Sequence, residues 1–224
     1  MQINKKIVLF DIDYTLFDME KFRIKMFGEI IKKTRHERIS NLEYLLRNAY
    51  FIYREESRTF DPKAFTKYLV RKLKIRVEPE ILENAITKQD IFLGNLYEET
   101  KETVEALSRN KLQKIGIFSG GEINFQKKKI KEIEDYFHKE HIHIFAFKNK
   151  KLLSIVKRYK RDKLYIIDDH LEILHFAKKS NKSIFTVWIK RGRFAVDHKG
   201  IIGFAPDATI VNLREVVKII DSKL

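Results

Sequence analysis

Five short runs rich in Ile, Val and Phe, separated by segments of helical spacing, constrain the fold of this chain more than any other feature. The runs are "KIVLFD" (6–11), "QKIGIFS" (113–119), "HIHIFAF" (141–147), "KLYIID" (163–168) and "IFTVWI" (184–189). Several are apolar without clean alternation, which is how strands covered on both faces read. Between them, "EETKETVEALSRN" (98–110), "EINFQKKKIKEIEDYF" (122–137), "NKKLLSIVKRYKR" (149–161) and "LEILHFAKKS" (171–180) carry apolar residues at helical intervals. Strands alternating with helices predict an α/β fold with a parallel sheet and helices on both faces. A last short strand and helix, "ATIVNLREVVKII" (208–220), completes the pattern.

Residues 17–95 break the alternation. They hold no strand pattern, only helical stretches near 19–34, 40–57, 61–74 and 78–89. Asp61-Pro62 and Glu78-Pro79 mark helix starts, with proline in the first turn. An all-helical insert therefore follows the first strand, and "FLGNLYEET" (92–100) returns the chain to the sheet. The expected division is a core of residues 1–16 and 96–224 and a helical cap domain of residues 17–95.

Bulk composition narrows the class. With 224 residues, 44% hydrophobic and 34% charged, the chain can bury a globular core. No apolar run is long enough to span a bilayer, and "MQINKKIVLF" lacks the pattern of a signal peptide. There are no cysteines, which excludes disulfides and thiolate metal sites, and the default expectation is a cytoplasmic protein. The net charge of +15 is compatible with nucleic-acid binding. The lysines are spread along the whole chain, however, and the densest run, "QKKKIKEIED" (126–135), mixes in acids like an exposed helix face. A solvated lysine-rich surface is the simpler reading, and a positive field also draws phosphorylated ligands.

In open α/β sheets, ligands bind at the carboxyl ends of the strands. Here those ends carry Asp11-x-Asp13-x-Thr15, Ser119-Gly120-Gly121, Lys148, and Asp168-Asp169. This set suits phosphoryl chemistry. Asp11 with Asp168 and Asp169 could hold Mg²⁺, a hard cation that takes oxygen ligands. One carboxylate can attack phosphorus, and a second two residues on can protonate the leaving oxygen and then activate water. Ser119 and nearby backbone N–H groups can bind phosphoryl oxygens, and Lys148 can offset their charge. Residues two apart on a continuing strand would share a face, so a bend past Asp11 is expected to bring both carboxyls to one phosphorus.

These residues resemble the motifs of the haloacid dehalogenase (HAD) superfamily. "DIDYTLFD" (11–18) is similar to its first motif, D-x-D-x-T-L-x-D, "GIFSGG" (116–121) to its second, and "IIDD" (166–169) to its acidic fourth. The resemblance covers residues 5–18 and 96–220. It implies a Rossmann-like three-layer core with a C1-type helical cap, with Asp11 as nucleophile and Asp13 as general acid/base. It also implies that Thr15 supports their geometry at the phosphate side and that Ser119, with Gly120, binds phosphate. Mg²⁺ would be held by Asp11, the Asp13 backbone carbonyl and Asp168, with Asp169 close by. The third-motif lysine is assigned to Lys148 over Lys150 and Lys151, with Asn149 as helix N-cap. A halide leaves without a proton, so Asp13 favours phosphate-ester hydrolysis of a small phosphorylated metabolite. A phosphosugar mutase is the alternative within the family. A non-catalytic nucleic-acid-binding or regulatory protein on the same fold is the alternative of another class.

Other residues read more simply. His138, His141 and His143 fit a helix end, its turn and a strand better than a metal site. His170, directly after the acidic pair, fits a contact with the site as well as a helix start. Arg191 and Arg193, in "KRGRF" (190–194), fit a solvated loop, with a substrate anion as the alternative. The aromatics of residues 43–56 fit helix packing, and some could line a pocket beneath the cap.

Overall fold

In the computed structural model, residues 5–34, 40–192, 195 and 200–222 are described. Six parallel strands form one sheet: β1 (Lys6–Phe10), β2 (Gln113–Gly120), β3 (Ile142–Phe145), β4 (Lys163–Asp168), β5 (Phe185–Ile189) and β6 (Ala208–Ile210). Their order is β3-β2-β1-β4-β5-β6. The chain thus winds outward from β1 in two directions, and the crevice between the two windings opens above the ends of β1, β2 and β4.

The sheet is buried on both faces, and side chains alternate between two cores. Val8, Phe10, Ile117, Tyr165 and Ile167 face one way, where α5 (Thr100–Ser108) and the last helix, α9 (Arg214–Asp221), cover them. Ile7, Leu9, Phe118, Ile166 and Trp188 face the other, against α7 (Lys148–Arg158) and α8 (Leu171–Ser180). Period-two burial on both faces explains why the runs look uniformly apolar in sequence.

The insert is α1 (Met19–Thr34), α2 (Leu42–Ser57), α3 (Pro62–Leu73) and α4 (Pro79–Thr87), packed on one another. The Asp61 carboxylate accepts from the Ala64 N–H at 2.9 Å, so α3 begins where its Asp-Pro signal predicts. The chain crosses between helices and sheet at one place. Phe17 bridges Leu96, Asp18 N–H donates to Asn95 O at 2.7 Å, and Tyr97 N–H to Leu16 O at 3.1 Å. Rings join the insert to the core through α6 (Ile123–Lys129): Phe60 and Phe125 centroids are 5.1 Å apart, and Phe22 lies 5.7 Å from Phe125. Each such pair contributes about 1 kcal/mol beyond its buried area.

Two expectations are corrected. The helix foreseen over 122–137 ends at Lys129 and continues as tight turns. Ile130, Ile133 and Phe137 are all buried, so the sequence keeps helical spacing because periodicity reports burial rather than hydrogen bonding. The third strand stops at Phe145, and Lys148 is the first residue of α7 rather than the strand's last. Phe147 takes the N-cap position foreseen for Asn149, whose Oδ1 instead accepts from the Lys150 N–H at 3.0 Å.

Candidate active site

The register of the sheet assembles the acidic centre. Phe10 lies opposite both Ile117 of β2 and Ile167 of β4. Asp11 N–H continues the ladder to Ile167 O at 2.9 Å, so Asp11 and Asp168 leave their strands side by side. Beyond Asp11 the chain closes a tight loop, in which the N–H groups of Thr15, Leu16 and Phe17 all point to Ile12 O at 3.0–3.3 Å. Tyr14 takes a left-handed conformation (φ 58°) to make this turn. The expected bend is present, and Asp11 and Asp13 open into the same cavity.

Lys148 Nζ donates to Asp11 Oδ1 at 2.6 Å and to Asp168 Oδ2 at 2.7 Å. Burial works against the ammonium, but Asp11 and then Asp168 outweigh it and hold the lysine pKa above its ordinary value. Asp168 is wholly buried, and its Oδ1 accepts from the His170 N–H at 2.9 Å. Burial pushes the Asp11 carboxyl up to about 6, with Lys148 opposing and Asp168 and Asp13 adding to the rise. Asp169 is also pushed up, first by burial and then by Asp168 and Asp11.

Asp11, Asp168 and Asp169 offer carboxylate oxygens within 4.8 Å of one another, and Asp169 Oδ2 is buried without a partner. Three carboxylates share one ammonium, which leaves an excess of negative charge where burial makes it costly. The donor set is all oxygen and the deficit is that of a divalent cation, so these residues fit a hard ion such as Mg²⁺.

Asp13 has its own cation. Lys129 Nζ donates to Asp13 Oδ1 at 2.5 Å, and Gln126 Nε2 reaches Asp13 Oδ2 at 3.3 Å and Gly120 O at 2.6 Å. Gly121 (φ +136°) makes room for this amide, because a Cβ there would lie 2.6 Å from Gln126 Nε2. Lys129 is 2% exposed, and burial lowers its pKa more than Asp13 restores it. The run read as an exposed helix face therefore turns one edge inward. The available signal was the spacing, since Phe125, Gln126 and Lys129 form one buried stripe of α6, continued by Ile130 just past its end.

The cavity has a volume of about 670 Å³. Asp11, Asp13, Ser119, Gly120, Lys148, Asp169 and His170 line its floor, and Arg23, Tyr50, Phe51 and Arg54 of the helical insert form its roof. Tyr50 and Phe51 are thus the aromatics of residues 43–56 that face it. Thr15 is not among the lining residues. It is fully buried beneath the loop, with Oγ1 unpartnered and its carbonyl accepting from Arg191 at 3.2 Å. Arg191 is neither solvated nor at the cavity. It pairs with Glu99, reaches Val211 O and lies 4.0 Å from the Tyr97 ring, bracing the loop that carries Thr15. Arg193 lies outside the described residues. His141 and His143 meet at the Tyr159 hydroxyl (2.8 and 2.6 Å), and His138 meets Lys114, so these histidines form a structural network.

A family model described as haloacid dehalogenase-like hydrolase matches residues 5–180. No match was found among curated proteins. Solved structures agree over the whole chain. A haloacid dehalogenase-like hydrolase from Burkholderia xenovorans is 19% identical, covers 98% of both chains and has a TM-score of 0.76. A HAD-hydrolase from Bacillus subtilis, bound to magnesium, is 14% identical over 97% of this chain and 99% of that one, with a TM-score of 0.68. An L-2-haloacid dehalogenase from Xanthobacter autotrophicus, with chloropropionic acid covalently bound, is 12% identical over 99% of this chain and 100% of that one, with a TM-score of 0.63. At these identities the likeness is one of fold. No helix among the described residues is long and apolar enough to cross a membrane.

Proposed function

We propose, from the premise that the chain belongs to the haloacid dehalogenase-like hydrolases, that it is a Mg²⁺-dependent phosphatase acting on a small phosphorylated metabolite. The observation that carries this reading is Asp13. A halide leaves carbon without a proton, whereas an alkoxide leaving phosphorus needs one. A second carboxylate, seated at the cavity and held by its own buried lysine, can supply that proton, a role that halide departure does not call for.

In this reading an Asp11 carboxylate oxygen attacks phosphorus, and the P–O bond to the alcohol breaks. The departing oxygen takes a proton from Asp13, leaving an aspartyl-phosphate on Asp11. Asp13, now a carboxylate, accepts a proton from water, whose oxygen attacks phosphorus and releases inorganic phosphate and free Asp11. Lys148 fixes the Asp11 rotamer through Oδ1. Ser119 and Gly120 face the phosphoryl group from the end of β2. A magnesium ion held by Asp11, Asp168 and Asp169 would supply charge neutralisation at the phosphoryl oxygens. The insert acts as a cap domain over residues 17–95 that excludes water and selects the substrate.

The test is turnover of an aryl phosphate and of 2-chloropropionate, each with Mg²⁺ and with a chelator. Metal-dependent phosphate release that disappears in Asp11→Asn supports the reading. Chloride release without metal, and no phosphate release, would assign the site to dehalogenation instead.

A further inference from the structure

The buried cations around the cavity each have a carboxylate, with one half-buried exception. Lys148 serves Asp11 and Asp168, Lys129 serves Asp13, and Arg23 pairs with Glu20. Arg58 and Lys150 stand exposed on the rim and are solvated. Arg54, in the last turn of α2, is half-buried, and among the described residues its guanidinium has neither a hydrogen-bond nor an ion-pair partner. Its sequence neighbours Glu55 and Glu56 line the same cavity but stand exposed, and neither pairs with Arg54 among the described residues.

A cation that gives up hydration without gaining a counter-charge is costly. Arg54 adds to the cost by its position. It lines the cavity and also the small recess that holds Asp13 and Lys129, and its positive field acts on Lys129. Arg54 and Lys129 thus border the same recess as Asp13, whose carboxylate is bonded to Lys129. Arg54 stands on the Asp13 side of the cavity, where the alcohol departs, and Lys148 stands on the Asp11 side, where the phosphoryl group is received.

We propose that Arg54 binds a second anionic group on the alcohol half of the substrate, so that the substrate class is a phosphomonoester whose alcohol carries a carboxylate or a further phosphate. The inference rests on the phosphatase reading and narrows it. A guanidinium meets either anion with paired N–H donors, and the anion gives Arg54 the partner it lacks among the described residues.

The experiment compares three esters of matched length: propyl phosphate, the phosphate ester of 3-hydroxypropanoate, and propane-1,3-diol bisphosphate. Each is measured with Mg²⁺ on wild type, Arg54→Gln and Arg54→Lys, with melting temperatures to verify folding. The expected result is a kcat/KM preference of roughly tenfold to a hundredfold for one or both anionic esters, carried mainly by KM. That preference collapses in Arg54→Gln and is partly kept in Arg54→Lys, and the ester preferred identifies the anion. Equal kcat/KM for all three esters, or a preference that Arg54→Gln leaves intact, overturns the inference while the phosphatase reading stands. No phosphate release from any ester or from an aryl phosphate would remove both.

Discussion

Lys129 Nζ lies 2.5 Å from Asp13 Oδ1, a contact between residues 116 positions apart in sequence. It joins the loop after β1 to the inward stripe of α6, and it holds the second carboxylate at the cavity. Removing the lysine leaves the Asp13 side chain, among the described residues, with only the Gln126 amide at 3.3 Å. The Asp13 side chain is 30% exposed, so water can take over part of its solvation, and methionine suits the site of a lysine that is only 2% exposed. Placement of the proposed proton donor suffers more. Lys129→Met is expected to lower kcat on an alkyl phosphate by about 10²-fold, and on an aryl phosphate much less, because a phenolate leaves without help. Steady-state kinetics on the two esters checks this; equal losses would show a merely structural role.

In the proposed reaction Asp11 must be ionised to attack, yet burial, opposed by Lys148 and assisted by Asp168 and Asp13, lifts it to about 6. At limiting Mg²⁺, kcat/KM is expected to fall tenfold per pH unit below about 6, and raising Mg²⁺ is expected to move this limb to lower pH. The sign for stability is the opposite of the usual carboxylate. The folded value exceeds the ordinary 3.8, so the metal-free fold keeps a proton the unfolded chain releases. Its contribution is full below about pH 4 and is lost as pH rises through about 6. Melting curves across that window, with and without Mg²⁺, read it out.

Asp169 crowds the same centre, with Oδ2 buried and unpartnered. Asp169→Asn removes a repelling charge, so the metal-free protein is expected to melt higher than wild type. The same variant is expected to lose most of the stabilisation that Mg²⁺ gives wild type, which would be about 2.7 kcal/mol at a hundredfold excess over Kd. Calorimetry in Mg²⁺ and in chelator separates the two effects.

Much of this was legible in the sequence. The alternation of β1 to β5 with helices fixed a parallel sheet because each strand is buried on both faces, and Asp61-Pro62 announced α3 because its cap bond is local. Asp11, Ser119 and Asp168 could be listed in order because the register of β1 with β2 and β4 places those ends together, whereas Lys148 enters on the first turn of α7. What stayed hidden depends on contacts distant in sequence. Lys129 reads as one lysine of a basic run until Asp13 is set beside it, and Arg191 reads as a loop charge until Glu99 and Thr15 O close around it. Thr15 has the spacing of a site residue, but the turn at Tyr14 directs it into the core.

Gly192 (φ +61°) sits where a Cβ would come within 2.2 Å of the Tyr14 ring. Tyr14 is the left-handed residue between Asp13 and Thr15, so Gly192→Ala strains both its own backbone and the loop after Asp11. A loss of about 1–3 kcal/mol is expected from the backbone alone. A fall in kcat at temperatures where the variant is fully folded would show that the loop itself has moved. Denaturant titration and kinetics on the same preparation measure both.

Chemical trapping of the aspartyl-phosphate tests the proposed mechanism most directly. Protein mixed with an aryl phosphate and Mg²⁺ is quenched into borohydride, and the peptide holding residue 11 is weighed by mass spectrometry. The mechanism predicts reduction of Asp11 to homoserine, in wild type and only when substrate is present. Phosphate release with Asp11 unmodified, or turnover retained in Asp11→Asn, would contradict it.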